Sequence, residues 1–197
     1  YHALKKTDEY WEAYNRASLI DNKKIRVLFA FPPDYTSRQN SVFKKYEDFI
    51  DYWVHLSQTS NLIVPYFQVH PAVTEEQISY IKSKKITLEN ENIVQLIPKI
   101  DVLITSVSSI IRLAIALKKP VINFDLYHFN YPDYLNVKGV NTVNDLNDFS
   151  SEFSKISTDL YYVGLLKQDM KEESQRWGII DGQVKKRLLS ESHEYIQ

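Results

Sequence analysis

Short apolar runs alternate with longer amphipathic stretches along this chain, a pattern that predicts an α/β domain. The run at 25–31 (Ile-Arg-Val-Leu-Phe-Ala-Phe) predicts a first strand, ended by Pro32-Pro33. Over 43–56, Phe43, Tyr46, Phe49, Ile50 and Trp53 recur at helical spacing, so that helix buries one aromatic face. Residues 61–69 predict a second strand, leading into His70-Pro71. Thr74, with Glu76 and Gln77 behind it, reads as a capping box opening a helix to residue 83. A short strand at 86–88 and a brief helix at 93–97 follow.

The stretch 101–124 organises the rest. Residues 101–105 are an apolar run ending in small polar residues, as a buried strand does. Ser106-Val107-Ser108-Ser109 is a polar turn. Residues 110–117 are apolar nearly all round, predicting a helix covered on most sides. Lys118 and Lys119 suit the negative end of its dipole, and Pro120 stops it before a second apolar run at 121–124. Strand, turn, helix and strand make a βαβ unit, which requires a parallel sheet. An aromatic-rich loop (125–134), a weak strand (139–143) and a helix from Asn144 or Asp145 to 153 come next. Closing helices are predicted over 161–177 and 182–196. At the other end, residues 1–18 place Leu4, Trp11 and Tyr14 on one helical face. The pattern divides the chain into a connecting helix at 1–24 and an α/β domain at 25–197. That domain is expected to be doubly wound: a mostly parallel sheet with helices on both faces.

Composition narrows the chemistry. A net charge of -1 supplies no general basic field for nucleic acid. Cysteine is absent, which removes thiol nucleophiles and thiolate metal sites. The five histidines are scattered without ligand spacing, so no metal is expected. The four glycines stand at 139, 164, 178 and 182, which leaves no G-x-G-x-x-G and no P-loop. No G-x-S-x-G elbow occurs either. No initiator methionine stands at Tyr1, and a fragment of a longer protein is expected. No apolar run is long enough to span a bilayer.

A phosphate site built from hydroxyls and backbone remains open. Ser106, Ser108 and Ser109 gather where a helix begins at the carboxyl end of a strand, a place suited to anions. The same pattern also fits Ser108 as a plain helix cap. Ser37 and Arg38 lie in the loop after the first strand, and His70 lies at the end of the second, both on the crevice side. Arg38 can meet a phosphate bidentately. Asp125, Tyr127 and His128 of the aromatic loop are candidates for base or sugar contacts, though such a loop also suits a sheet-edge cover or a subunit contact.

The segment T-S-V-S-S-I-I-R-L-A-I-A-L-K-K-P-V-I-N-F resembles the nucleotide-binding segment in the C-terminal half of GT-B glycosyltransferases. It is most similar to the CDP-glycerol glycerophosphotransferase and capsule-polysaccharide transferase group, which carries a Thr-Asp-x-Ser-Ser turn before such a helix. Trp177-Gly178-Ile179-Ile180-Asp181-Gly182 looks like the group's closing "Asp-Gly then basic helix". The resemblance implies a donor-binding domain of a transferase. It would move a glycosyl or glycerophosphoryl group from a nucleotide-diphosphate donor to a cell-surface polysaccharide or teichoic-acid-like acceptor. It implies no cofactor beyond the donor, a catalytic role for His70 near the donor phosphates, and a partner N-terminal acceptor domain. It also implies a cytoplasmic location, with peripheral association at the inner face of the membrane through the full-length protein.

Two departures bear on this. Ser106 stands where the group has Asp, and Arg112-Leu113 where many GT-B domains place a ribose-binding carboxylate. Arg112 either binds phosphate in compensation or snorkels off the helix. The alternatives are a UDP-sugar 2-epimerase-like enzyme, which would need carboxylates in the cleft, and a degenerate GT-B module acting as a scaffold.

Overall fold

The computed structural model of the chain describes residues 24–177. The helices predicted at 1–18 and 182–196, and the Gly178–Gly182 part of the closing motif, lie outside the described residues. Five strands form one sheet: β1 (Ile25–Phe31), β2 (Ile63–Val69), β3 (Val102–Thr105), β4 (Val121–Phe124) and β5 (Val140–Val143). Their spatial order is β2-β1-β3-β4-β5, and every pairing is parallel. The strand expected at 86–88 shrinks to one parallel bridge, Leu88 to Phe67, with the Glu89 N–H donating to the Phe67 carbonyl at 2.8 Å. If that bridge counts as a rudimentary third strand outside β2, the order becomes 3-2-1-4-5-6, that of a Rossmann sheet.

Among the described residues six α-helices flank the sheet: α1 (Tyr46–Ser57), α2 (Glu75–Ser83), α3 (Ile93–Leu96), α4 (Ile110–Ala116), α5 (Leu146–Thr158) and α6 (Leu160–Trp177). Alternate strand residues feed two separate cores, as a pleated sheet buried on both faces demands. Val27, Phe29 and Phe31 pack with the apolar stripes of α1 and α5. Leu28, Ala30 and Leu103 pack with Ile111, Ala114 and Ile115 of α4. The first core is largely aromatic: Phe29 stacks on Phe67 at 5.4 Å and meets Trp53 edge-on at 5.8 Å.

The helix ends follow local chemistry. Thr74 and Gln77 form the capping box at α2. Asp145 caps α5, accepting N–H groups of Asn147 and Asp148 at 2.8 and 2.9 Å. That helix runs past 153 to Thr158 because its apolar stripe continues through Phe149, Phe153 and Ile156. By contrast, α1 begins at Tyr46 rather than at 43, since Lys45 is extended; Phe43 is buried from the preceding loop.

The last helix belongs to both faces. Val163 and Leu166 of α6 join the first core, while Met170 and Trp177 pack on the second. Gly139 lets it pass close by. Its φ is +77°, and a Cβ there would lie 3.0 Å from the Met170 Cβ and 3.1 Å from the Leu166 carbonyl oxygen. Between the two cores, Lys167 reaches Asp101 at 2.7 Å. Asp101 also accepts from Arg26 through Nε at 2.8 Å, Nη2 at 3.2 Å and the backbone N–H at 3.0 Å. One buried carboxylate thus joins β1, the start of β3 and α6 at the amino end of the sheet. Nearby, Lys119 is buried rather than displayed at a helix end, and its Nζ donates to the Pro98 carbonyl at 3.0 Å.

Burial alone would raise the Asp101 pKa, but hydrogen bonds from Arg26 and Lys167 outweigh it and hold the carboxyl at about 2, below the ordinary 3.8. The unfolded chain therefore takes up this proton first. The carboxylate's stabilisation is fully present above the ordinary value and is lost as pH falls towards about 2. Asp101→Asn is expected to lower stability at neutral pH by about 2 kcal/mol. Urea denaturation at a series of pH values should show the gap from wild type closing through the acid range. A gap that stays constant with pH would contradict this assignment.

Candidate functional site

The chain leaves β1 for α1 on one face of the sheet and leaves β3 for α4 on the other. Since β1 and β3 are neighbours, their carboxyl ends frame an uncovered crevice, the position where open α/β sheets bind ligands. A cavity of about 810 Å³ lies there, large enough for a nucleotide. Its walls are the end of β1 through Pro33, Tyr35 and Arg38 of the following loop, the end of β2 through Pro71, Asn92 and Ile93, the serine turn, and the aromatic loop.

The serine turn is held under strain. Val107 has φ +36°, a conformation that β-branched residues rarely adopt. Its N–H donates to the Asn123 side-chain oxygen at 2.8 Å, and the Asn123 amide donates in turn to Thr142 Oγ1 at 3.2 Å. Asn123 is buried on β4, so the turn is anchored through the sheet to β5. Ser106, Ser108 and Ser109 all line the cavity. Ser106 is 5% exposed, and its hydroxyl has no hydrogen-bond partner among the described residues. Such a group costs about 1–3 kcal/mol unless something fills it. Capping is weak here. Ser109 occupies the N-cap position of α4 without a side-chain cap bond, and Ser108 Oγ lies 3.4 Å from the Ile110 nitrogen.

Arg38 and His70 face the same cavity. Arg38 lies over the Phe129 ring at 4.5 Å, and its Nε donates to the Tyr127 carbonyl at 3.3 Å. The backbone N–H of His70 donates to the Phe31 carbonyl at 3.0 Å, fastening the end of β2 to the end of β1. His70 Nδ1 accepts the Ala72 N–H at 3.1 Å. The neutral ring therefore carries its proton on Nε2, which is a donor.

Other candidates lie elsewhere. Ser37 is exposed and does not line the cavity. Arg112 points to the surface and pairs with Asp133 at 2.9 Å. Asp125 is buried, and its two oxygens accept the N–H groups of Phe129 and Asn130 at 2.9 and 2.7 Å. It shapes the aromatic loop from inside. His128, at φ +51°, lines a smaller adjoining pocket with Arg38, Gln39 and Asn40. Tyr127 does reach the main cavity, but its hydroxyl donates to the Pro33 carbonyl at 2.7 Å, and burial raises its pKa far above the usual phenol range. Nothing in the sequence marks Asn123, which reads there as one residue of an apolar run. Its polarity in that run, V-I-N-F, is the only signal.

No protein-family model matches the chain, and no curated protein matches its sequence. Solved structures do match its fold. The wall teichoic acid polymerase TagF is 15% identical at a TM-score of 0.54, over 95% of this chain and 47% of that one. TarM is 11% identical at a TM-score of 0.56, over 85% of this chain and 35% of that one. The C-terminal domain of a group 1 family glycosyl transferase (LpcC) from Francisella tularensis is 12% identical at a TM-score of 0.53, over 84% of this chain and 90% of that one. The chain therefore has the fold of a GT-B transferase domain, and it spans about half the length of TagF.

Removing the Asn123 amide would strand both the Val107 N–H and its own buried surroundings. Asn123→Ala is expected to cost about 1–3 kcal/mol of stability, while Ser109→Ala changes it by less than about 0.5 kcal/mol. Denaturant titration of both variants checks the contrast. A Ser109→Ala loss as large as that of Asn123→Ala would return the serine to a capping role.

Proposed function

We propose that the crevice binds the diphosphate of a nucleotide-activated donor. The chain then serves as the donor-binding part of a transferase that moves a glycosyl or glycerophosphoryl group to a cell-surface polysaccharide or teichoic-acid-like acceptor. One observation carries the reading. At the switch point of the sheet, three serines, one with an unpartnered buried hydroxyl, share a cavity with Arg38 and His70. Among the described residues lining that cavity there is no Asp or Glu. A site with hydroxyl and cationic donors and no carboxylate favours an anion.

In this reading the donors are placed before the reaction begins. Negative charge builds on the leaving phosphate: the nucleoside diphosphate when a glycosyl group departs, the nucleoside monophosphate when the diphosphate bridge breaks in glycerophosphoryl transfer. Arg38, the serine hydroxyls and the His70 Nε2–H stabilise that charge without having to reorganise. No covalent intermediate on this chain and no cofactor beyond the donor is called for. The base that activates the acceptor would come from a partner acceptor domain. The fold likeness to TagF and TarM, both known as longer chains, supports that arrangement. Among the described residues no helix is long and apolar enough to cross a membrane. An epimerase finds less support, because the carboxylates it needs are not among the described lining residues.

Thermal melts with CDP, UDP and GDP test the proposal. At least one is expected to raise the melting temperature by mass action, with inorganic phosphate competing weakly. His70→Ala should weaken that binding by about 1–3 kcal/mol, the cost of a hydrogen bond to a charged group. Saturating nucleotide with no shift in melting would sink the donor reading and leave the scaffold alternative.

A further inference from the structure

We infer that this site reads its ligand at two places only, the diphosphate and a stacked planar base, and is blind to the ribose 2′-hydroxyl. The inference rests on the nucleotide-donor reading. It follows from what surrounds the cavity between the two walls.

In dinucleotide-binding sheets the 2′-hydroxyl is read by a carboxylate, which accepts a hydrogen bond from it. The carboxylates nearest in sequence to the lining residues are all engaged within the chain. Asp34 accepts from the Thr36 N–H at 2.9 Å, the Thr36 hydroxyl at 2.7 Å and Gln77 Nε2 at 2.9 Å. Asp125 accepts two N–H groups of its own loop, Asp133 holds Arg112, and Glu91 holds Lys99. Drawing any of them to a ribose would first break these bonds. Among the described residues, no Asp or Glu lines the cavity and none of these four is poised for the sugar.

The aromatic loop offers the opposite: faces without a code. Tyr35 meets Tyr127 edge-on at 5.5 Å and Phe129 edge-on at 5.8 Å, and Tyr131 lies 6.0 Å from Phe129. All four rings line the cavity, with the Arg38 guanidinium over Phe129. Tyr35 and Tyr131 remain 45% and 54% exposed, so ring surface is available to a ligand. Stacking on such a surface tolerates any base, because every base has a π-face. Affinity from the two ends leaves the sugar between them as a spacer.

Isothermal titration of the full 197-residue chain with UDP, dUDP, CDP, dCDP and pyrophosphate tests this. Each ribo and deoxy pair is expected to agree within about threefold, and pyrophosphate to bind more weakly than either. Tyr131→Ala should weaken nucleotide binding about fivefold or more and leave pyrophosphate unchanged. A deoxynucleotide weaker than its ribo partner by about tenfold, the loss of a hydrogen bond to a carboxylate, would overturn the inference while the donor reading stands. So would Tyr131→Ala binding nucleotides as tightly as wild type. If neither nucleotides nor pyrophosphate bind, the donor reading fails and takes the inference with it.

Discussion

Neighbouring strands β1 and β3 send their chains to opposite faces of the sheet, and most of this molecule follows from that divergence. Parallel strands need crossovers, and crossovers of one hand cover both faces of an open sheet only if the strand order reverses. At the reversal no connection covers the strand ends. The ends of β1 and β3, with the neighbouring end of β2, therefore open into the cavity instead of into a helix. The amino ends are treated differently. There Asp101 ties together Arg26 and Lys167, and α6 passes from one core to the other. One rim of the sheet is clamped, and the other is left free to bind.

The free rim is still not loose. Two side chains at the end of β4, or just past it, organise two of its walls. Asn123 fixes the serine turn through the Val107 N–H, and Asp125 fixes the aromatic loop through the Phe129 and Asn130 N–H groups. The backbone between them is held as well, since the Asp125 N–H donates to the Val143 carbonyl at 2.8 Å. A φ of +36° at Val107 stores strain on the order of 1–3 kcal/mol, which persists only where surroundings over-determine it. Here the sheet does so. Ser106, Ser108 and Ser109, on either side of Val107, all line the cavity.

The sheet and its helices are legible in the sequence because their signals are short-range. The Phe49, Ile50 and Trp53 stripe, the Thr74 capping box and the Asp145 cap each involve residues within a turn or two. The serine turn and His70 are legible as cavity residues for a related reason: they sit at strand ends, and a parallel sheet gathers strand ends. Legibility stops where a side chain's direction depends on a distant partner or on an unusual φ. Arg112 turns away because Asp133, far along the chain, accepts it. Asp125 turns inward because His128 and Asn130, at φ +51° and +55°, bend the loop around it. Leu88 makes one bridge, to Phe67 of β2, rather than a strand. None of these follows from composition or spacing.

The electrostatic character of the cavity has the same origin. A net charge of -1 means that no surplus of basic residues makes the crevice positive. Its donors are local instead. Asp34, Glu91, Asp125 and Asp133 belong to segments around its rim and each has an internal partner; Glu91 and Asp133 meet cations, while Asp34 and Asp125 accept from neutral groups. Arg38 is left on an aromatic face, which holds a guanidinium without neutralising it. A field built this way is short-ranged, because exposed charges beyond about 8–10 Å are screened at physiological salt. It cannot steer ligands from afar as a basic patch does. In the proposed reading it would act only on an anion already inside the cavity, which Ser106, His70 and Arg38 all line. Selectivity for such a ligand would thus depend on fit within the crevice and not on the overall charge of the protein.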